Sequence, residues 1–398
     1  MAISSFVFTS LIFGFLFVVS KGNRKNWKRF FYVPARKSKT NAIQLGGLAL
    51  ALGFFCSLVV ASRFTDLSIF FNKVDHRLIQ NFIFGGLIIS LYGYFDDKLE
   101  LRPIVKLFGQ ILSVFAYATL SSHLHTQHHS QITFLVICFW GLGVVNGSNL
   151  LDGLDTLTLK LGTVSYSVFL FLGFYHNSPK IVICSALFLS CLMAFYFFNK
   201  APAKIHLGEI GGSIVGFSLL ILSSFLWHAV KANHFSPVRS AVLAIIPLTL
   251  PMVELGVSFL RRIYNRKSPF RGDRLHVHHI LNQEFGFSPS LTATIMASGY
   301  LLTMSFAIYI QILTHPYIAL ASLIIMQVSI YLAVGHKYWH TKDSLSLSPR
   351  NMLKYLRKKD VLIIDSSQID NFKLTILERP VEEIHDEVDE DKKEPKSA

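Results

Sequence analysis

Eleven apolar runs of roughly twenty residues each recur along the chain, at 2–20, 43–62, 79–95, 103–121, 132–147, 161–176, 179–197, 209–229, 240–259, 290–313 and 316–335. A helix rising ~1.5 Å per residue needs ~20 such residues to cross a ~30 Å hydrocarbon layer. Inside that layer every backbone N–H and C=O must be satisfied within the protein, which excludes open sheet edges and leaves helices. The expected fold is an all-α polytopic membrane protein of about eleven transmembrane helices. Composition agrees, because only 16% of the residues are charged and 52% are hydrophobic, where a soluble domain carries about a quarter charged. The first run lacks a basic start and a small-residue cleavage site, so it reads as a retained helix. Cys56, Cys138, Cys184 and Cys191 all fall inside apolar runs without metal-ligand spacing and read as small buried apolar residues.

The net charge of +14 would raise the question of nucleic acid in a soluble protein. Here Lys and Arg sit between apolar runs, so membrane topology accounts for them and no nucleic-acid partner is expected. With the N-terminus outside, the inner segments 21–42, 96–102, 148–160, 198–208, 260–289 and the tail from 336 hold 31 of the 38 Lys and Arg. The opposite loops hold six, and the ratio without the tail is still 19 to six. The chain therefore divides into a transmembrane domain over 1–340 and a cytoplasmic tail over 341–398. The tail is basic at first, offers a short strand pair within 361–380, and turns acidic and disordered from Val381.

The polar clusters of unusual density all fall on the inner side. Arg36-Lys37-Ser38-Lys39 precedes Leu45-Gly46-Gly47, a pair of small residues suited to close helix packing. Asp96-Asp97-Lys98-Leu99-Glu100 closes the third run. Adjacent carboxylates at a membrane boundary must be solvated, paired or bound to a cation, which leaves a solvated helix end and a Mg²⁺ or general-base site as readings. Asp96 is expected to be exposed and to add little to stability. Lys106 and Gln110, in the next run, line the same end. Asn146, Asn149, Asp152 and Asp155 follow at intervals of three, which on a helix makes a continuous polar stripe. Four such groups emerging from an apolar run point to a metal, phosphate or nucleotide site more than to packing.

His206-Leu207-Gly208-Glu209-Ile210-Gly211-Gly212-Ser213 is a Gly-rich loop opening a run, able to offer backbone N–H groups to phosphate. The last cluster runs from Arg261-Arg262 through Arg271, Asp273 and Arg274 to His276, His278 and His279. Three histidines in four positions suit zinc, but no inner loop offers a cysteine. The basic neighbours favour an anionic ligand such as a diphosphate. Acids and amides for a hard cation, with His and Arg for phosphate oxygens, are what phosphoryl transfer requires.

The order of these motifs, over about residues 30 to 285, resembles the bacterial polyprenyl-phosphate N-acetylhexosamine-1-phosphate transferases. These include enzymes that start O-antigen, enterobacterial common antigen and teichoic acid synthesis, and the peptidoglycan translocase. The Ser-Pro-Phe, Asp-Arg and His-x-His-His elements near 268–279 bring the chain nearer the N-acetylglucosamine-type enzymes. The resemblance implies an enzyme of the bacterial cytoplasmic (inner) membrane with its active site facing the cytoplasm. It would move a hexosamine 1-phosphate from a UDP-sugar, with UDP-GlcNAc foremost, to undecaprenyl phosphate, releasing UMP and initiating a cell-envelope glycan. It implies Mg²⁺, with Mn²⁺ as a substitute, and is compatible with a homodimer. Asp96 would deprotonate or orient the lipid phosphate, supported by Asp97. Asp152 and Asp155 would lie at the metal and nucleotide end, and Asn149 and Glu209 would hold the metal. Lys106, Gln110, Asn146, His206, Arg271, Arg274, His276, His278 and His279 would bind substrate.

The chain departs from the family pattern at several of these places. Glu209 stands where the family has Asp, as do Glu100 and a position near Glu254. His206 replaces the aromatic residue placed to stack on uracil, Lys39 replaces a His, Thr156 replaces a Gly and Gly212 a Ser. A divergent enzyme accounts for this better than a non-catalytic binder of UDP-sugar or lipid phosphate, because Asp96, Asp97 and all three histidines remain. A transporter would place its ionisable residues near the bilayer midplane, whereas here they gather at one interface.

Overall fold

The computed structural model describes residues 2–21, 44–64, 73–99, 101–122, 130–233, 235–270 and 272–339. Among them the chain is helical, without strands. The helices are α1 (Ala2–Lys21), α2 (Gly46–Phe64), α3 (Lys73–Leu99), α4 (Pro103–Ser122), α5 (Ser130–Leu150), α6 (Leu157–Tyr175) and α7 (Pro179–Asn199). They continue as α8 (Gly208–Ala232), α9 (Pro237–Ile245), a 3₁₀ turn (Ile246–Leu248), α10 (Thr249–Tyr264), α11 (Val277–Gln283), α12 (Pro289–Leu313) and α13 (Pro316–Trp339). Among the described residues seven segments are long and apolar enough to cross a membrane: most of α3, α6, α7, α8, the stretch Pro237–Tyr264, α12 and α13. Each coincides with an expected run. The other four expected runs coincide with shorter apolar helical stretches, Ser4–Phe15, Gly46–Ser57, Pro103–Thr119 and Phe134–Leu150. Arg36 to Lys39, Glu100, Arg271 and the tail with its expected strand pair lie outside the described residues.

Helix α8 is the hub. Its apolar window is 89% buried, against 28% for α13, and it packs against α2, α3, α5 and α9. Small residues make this possible. A Cβ on Gly47 would lie 2.1 Å from the backbone nitrogen of Gly211, so α2 and α8 touch backbone to backbone at their first turns. The amides of Gly46 and Gly47 donate to the carbonyls of His206 and Leu207, tying the start of α2 to the loop before α8. Further along, Phe217 of α8 stacks on Phe82 of α3, and Phe82 meets Phe54 and Phe188 edge-on. Such aromatic contacts fix spacing where lipid offers no hydrophobic drive between helices.

The expected run at 240–259 is not one helix. It breaks into α9, the 3₁₀ turn and α10 around Pro247. Proline lacks an N–H, and its ring clashes with the carbonyl four residues back. Pro251 compounds this, having no N–H to give the carbonyl of Pro247. That carbonyl instead accepts from the Tyr300 hydroxyl at 2.7 Å and the Ser165 hydroxyl at 3.2 Å. The broken span is tolerable because protein side chains satisfy the freed group.

Candidate active site

Antiparallel neighbours place the end of α3, the start of α4, the end of α5 and the start of α8 together. Helix α8 has no side-chain cap from its own loop. Its Glu209 N–H instead donates to Asp97 Oδ1 at 3.0 Å, so a carboxylate at the end of α3 satisfies an orphan amide of α8. Gly208 enters this turn at φ 73°, and a Cβ there would lie 2.6 Å from Asp97 Oδ2. One of the backbone N–H groups that the Gly-rich loop was expected to offer to phosphate, that of Glu209, is therefore already engaged.

Lys106 stands at the centre. Its Nζ is 2.6 Å from Asp96 Oδ2 and 2.8 Å from Glu209 Oε1. Glu209 Oε2 accepts from Asn149 Nδ2 at 3.1 Å, and the same amide donates to Ser213 Oγ at 3.0 Å. The Tyr92 hydroxyl bonds Ser213 Oγ at 2.9 Å, and Gln110 is buried beside it. Asp96 is not the exposed carboxylate expected from its boundary position. It is only 2% exposed, held by Lys106 and by the Leu101 N–H at 2.8 Å. The serine-to-glycine departure at Gly212 has a physical role, since a Cβ there would lie 2.2 Å from Asn149 Oδ1. Glycine leaves room for the Asn149 amide that reaches Glu209.

The polar stripe starts on a helix but does not stay on one. Asn146 and Asn149 belong to the last turns of α5, which ends at Leu150, while Asp152 and Asp155 sit in the following turns. Asp152 N donates to Asn149 O at 3.2 Å, a tight closing turn. Asn146 is half-buried and has no hydrogen bond among the described residues, so the structure does not join it to the carboxylates. Asp152 accepts from Thr158 at 2.9 Å. Burial, reinforced by the charges of Glu209 and Asp155, pushes its carboxyl up to about 7 despite that bond. Asp155 braces the loop before α8 rather than joining the Lys106 group. It accepts from the Ala203 N–H at 3.2 Å and lies 3.5 Å from His206 Nδ1. Burial lowers the His206 imidazole, opposed by the Asp155 charge.

Thr156 occupies the left-handed region at φ 66°, where a β-branched residue is strained. The family's glycine at this position is matched to that backbone. Thr156→Gly is expected to stabilise the protein by about 1 kcal/mol, the strain relieved outweighing the chain entropy that glycine adds. A higher thermal unfolding midpoint in detergent is the check; a lower one would assign the Thr156 side chain a packing role.

The histidines close the far side of this turn. A Cβ on Gly153 would lie 2.2 Å from His278 Nε2 and 3.1 Å from His279 Cε1. The His276 and His278 rings stack at 5.5 Å, and His278 and His279 are 4.2 Å apart. Burial, then the charges of His279 and His276, holds His278 far below the usual imidazole range. Burial, then His276 and Arg274, brings His279 down to about 4. Near pH 7 both are neutral, each offering one N–H, while the exposed Arg274 carries positive charge on this side. His276 faces inward, with Nδ1 2.5 Å from Glu254 Oε1. Asp273 accepts from Arg261 Nη2 at 3.0 Å and Arg262 Nε at 2.7 Å. Burial alone would raise the Asp273 carboxyl, but these guanidinium bonds hold it well below the ordinary carboxylate range. Gly153→Ala is expected to destabilise the protein by about 1–3 kcal/mol, because fully buried His278 has nowhere to retreat. A lower thermal unfolding midpoint in detergent is the check; an unchanged one would show that the turn can shift away from His278.

Among the described residues no three His, Cys, Asp or Glu side chains converge as a self-sufficient metal cage. The donor set does suit an ion that takes one or two carboxylates and completes its shell with phosphate oxygens. Asp97 Oδ2 is buried without a hydrogen-bond partner, and Asp97 feels the charges of Glu209, Asp96 and Asp152. Among the described residues Lys106 is the cation paired with Asp96 and Glu209, and a divalent cation would relieve the remaining excess of negative charge.

The structure thus joins Asp96, Asp97, Lys106, Asn149 and Glu209 with Gln110 in one group. It sets Asp152, His278 and His279 in a neighbouring one, and places Asp155 with His206, and His276 with Glu254, behind them. Asn199 escaped the sequence reading. It accepts from Thr156 N at 2.8 Å and donates to Ile205 O at 3.0 Å, pinning two site loops together. Its only signal was a carboxamide ending an apolar run.

Fold and site define a multi-pass membrane protein with acids, amides and histidines gathered at one end of its helices. Residues 79–226 match the model of Glycosyl transferase family 4. The chain is 27% identical over 304 residues to the probable undecaprenyl-phosphate N-acetylglucosaminyl 1-phosphate transferase of Bacillus subtilis, covering 73% of this chain and 78% of that protein. It is 27% identical over 269 residues to the decaprenyl-phosphate N-acetylglucosaminephosphotransferase of Mycobacterium leprae, covering 60% and 66%. It is 31% identical over 206 residues to the phospho-N-acetylmuramoyl-pentapeptide-transferase of Lactobacillus johnsonii, covering 48% and 63%. The chain is thus similar to the polyprenyl-phosphate hexosamine-1-phosphate transferases, over the family-model region and beyond it.

Proposed function

We propose that this protein transfers an N-acetylhexosamine 1-phosphate from a UDP-sugar, UDP-GlcNAc foremost, to undecaprenyl phosphate at the cytoplasmic face of a bacterial membrane. The observation that carries this reading is the Asp96–Lys106–Glu209–Asn149 chain of contacts at one end of the helices. A lipid phosphate oxygen attacks the β-phosphorus of the UDP-sugar, the bond from that phosphorus to the bridging oxygen breaks, and UMP leaves with the electron pair. Asp96 takes or orients the proton of the acceptor phosphate. Lys106, already between two carboxylates, supplies a positive charge that can follow the reacting phosphates. Glu209 and Asn149 would hold Mg²⁺, or Mn²⁺ in its place, and the ion would supply charge neutralisation when bound. His278, His279 and Arg274 donate to the diphosphate from the other side. The eleven-span topology with the N-terminus outside, supported by the Lys and Arg distribution, puts all these groups in the compartment that holds UDP-sugars.

The test is a membrane assay with undecaprenyl phosphate, Mg²⁺ and radiolabelled UDP-GlcNAc. Metal-dependent label in the lipid phase, reversed by UMP, is the expected result. Silence across a panel of UDP-sugars would make the chain a binder that does not turn over, and would direct attention to Glu209 and His206.

A further inference from the structure

We infer that Glu254 and Tyr331 are positioning residues for the nucleotide side of the site, acting through His276. Glu254 is only 1% exposed, within the broken span. Its Oε1 accepts from His276 Nδ1 at 2.5 Å and from Ser258 Oγ at 3.2 Å, and its Oε2 accepts from the Tyr331 hydroxyl at 2.6 Å. Among the described residues no lysine or arginine is paired with Glu254. A buried carboxylate without a basic partner is costly unless its lone pairs are filled by donors, and here three donors from three segments fill them. An ionised carboxylate only accepts, so His276 Nδ1 carries the hydrogen and the Nε2 edge faces the other way, 3.9 Å from Asp273 Oδ1.

The contacts continue outward. The His276 ring lies nearly parallel to that of His278, at an angle of 10°. His278 in turn abuts Gly153, beside Asp152. Tyr331 on α13 and Glu254 on α10 therefore brace, through one imidazole, the segment that faces the Asp152 turn. A fully satisfied buried network of this kind holds a single arrangement, and groups behind a binding residue commonly set its orientation. This inference rests on the reading that the histidine segment faces the diphosphate.

Glu254→Gln keeps the shape and an acceptor for Tyr331. Its amide donates to His276 Nδ1, which reverses that bond and moves the imidazole hydrogen to Nε2. Full-length protein in detergent with Mg²⁺ is titrated calorimetrically with UDP, as wild type, Glu254→Gln, His276→Ala, the double variant and Tyr331→Phe. Glu254→Gln is expected to weaken UDP binding on the order of tenfold, Tyr331→Phe less, and the double variant no more than His276→Ala alone. Wild-type affinity in both Glu254→Gln and Tyr331→Phe, with His276→Ala weakened, overturns the inference. So do losses that multiply in the double variant, because Glu254 then acts independently of His276. If Glu254→Gln does not fold, Tyr331→Phe decides alone: weaker binding upholds the inference and wild-type affinity ends it. Wild-type affinity in His276→Ala removes the diphosphate reading itself and the inference with it.

Discussion

Asp96→Asn is expected to lower the formation of lipid-linked product by about 10²–10⁴-fold, the range that a positioned acid–base group contributes. UDP affinity is expected to hold. Asparagine matches aspartate in size, so the Leu101 N–H keeps its acceptor, and Lys106 keeps Glu209 at 2.8 Å. On the proposed reaction, what disappears is the group that would accept a proton from the lipid phosphate. The burial of Asp96 adds a stability cost, because Lys106 loses one of two anionic partners. A variant that binds UDP normally, unfolds a few degrees earlier and scarcely transfers label would fit this role. Normal turnover would remove Asp96 from the chemistry and leave Asp97 as the next acid to test.

Much of the bundle was legible because lipid imposes a simple rule: apolar length becomes a helix. The same rule left other things invisible. Pro247 and Pro251 lie within an apolar run whose hydropathy conceals the break, and the Tyr300 and Ser165 hydroxyls that donate to the orphan carbonyl stabilise it. Spacing by three from Asn146 to Asp155 is helical on paper, yet α5 closes at Leu150 and Gly153 needs a turn tight enough to meet His278. Asp96 reads as exposed when only its distance from the apolar run is considered. It is buried, and Lys106 on a different helix pairs with it. Glu254 stood out in sequence only as a departure, although an acid inside an apolar span already asks for a partner. The pairing itself joins positions far apart in the chain, 254, 276 and 331, and spacing carries no trace of it. The motif order, by contrast, was enough to reach the family, since it reports which loops carry polar groups rather than how those groups touch.

On the proposed reading, Glu209→Ala is expected to lower metal-dependent transfer on the order of 10³-fold, because it would remove both the oxygen proposed to bind the metal and the acceptor that organises its neighbours. Without it the Asn149 amide keeps only Ser213, and Lys106 is left to pair with Asp96 alone at 2.6 Å. Asp96, the proposed base, would then be held by an ammonium with no competing partner, so the two losses reinforce one another. Mn²⁺ binding, followed by electron paramagnetic resonance with UDP present, separates this variant from Asp96→Asn: it should be lost in the first and kept in the second. Glu209→Asp should recover transfer, since aspartate is the family's residue and the space beside Gly212 lets Asn149 follow a shorter carboxylate. Full Mn²⁺ binding by Glu209→Ala would place the ion elsewhere among the carboxylates, with Asp97 and its unpartnered Oδ2 first in line.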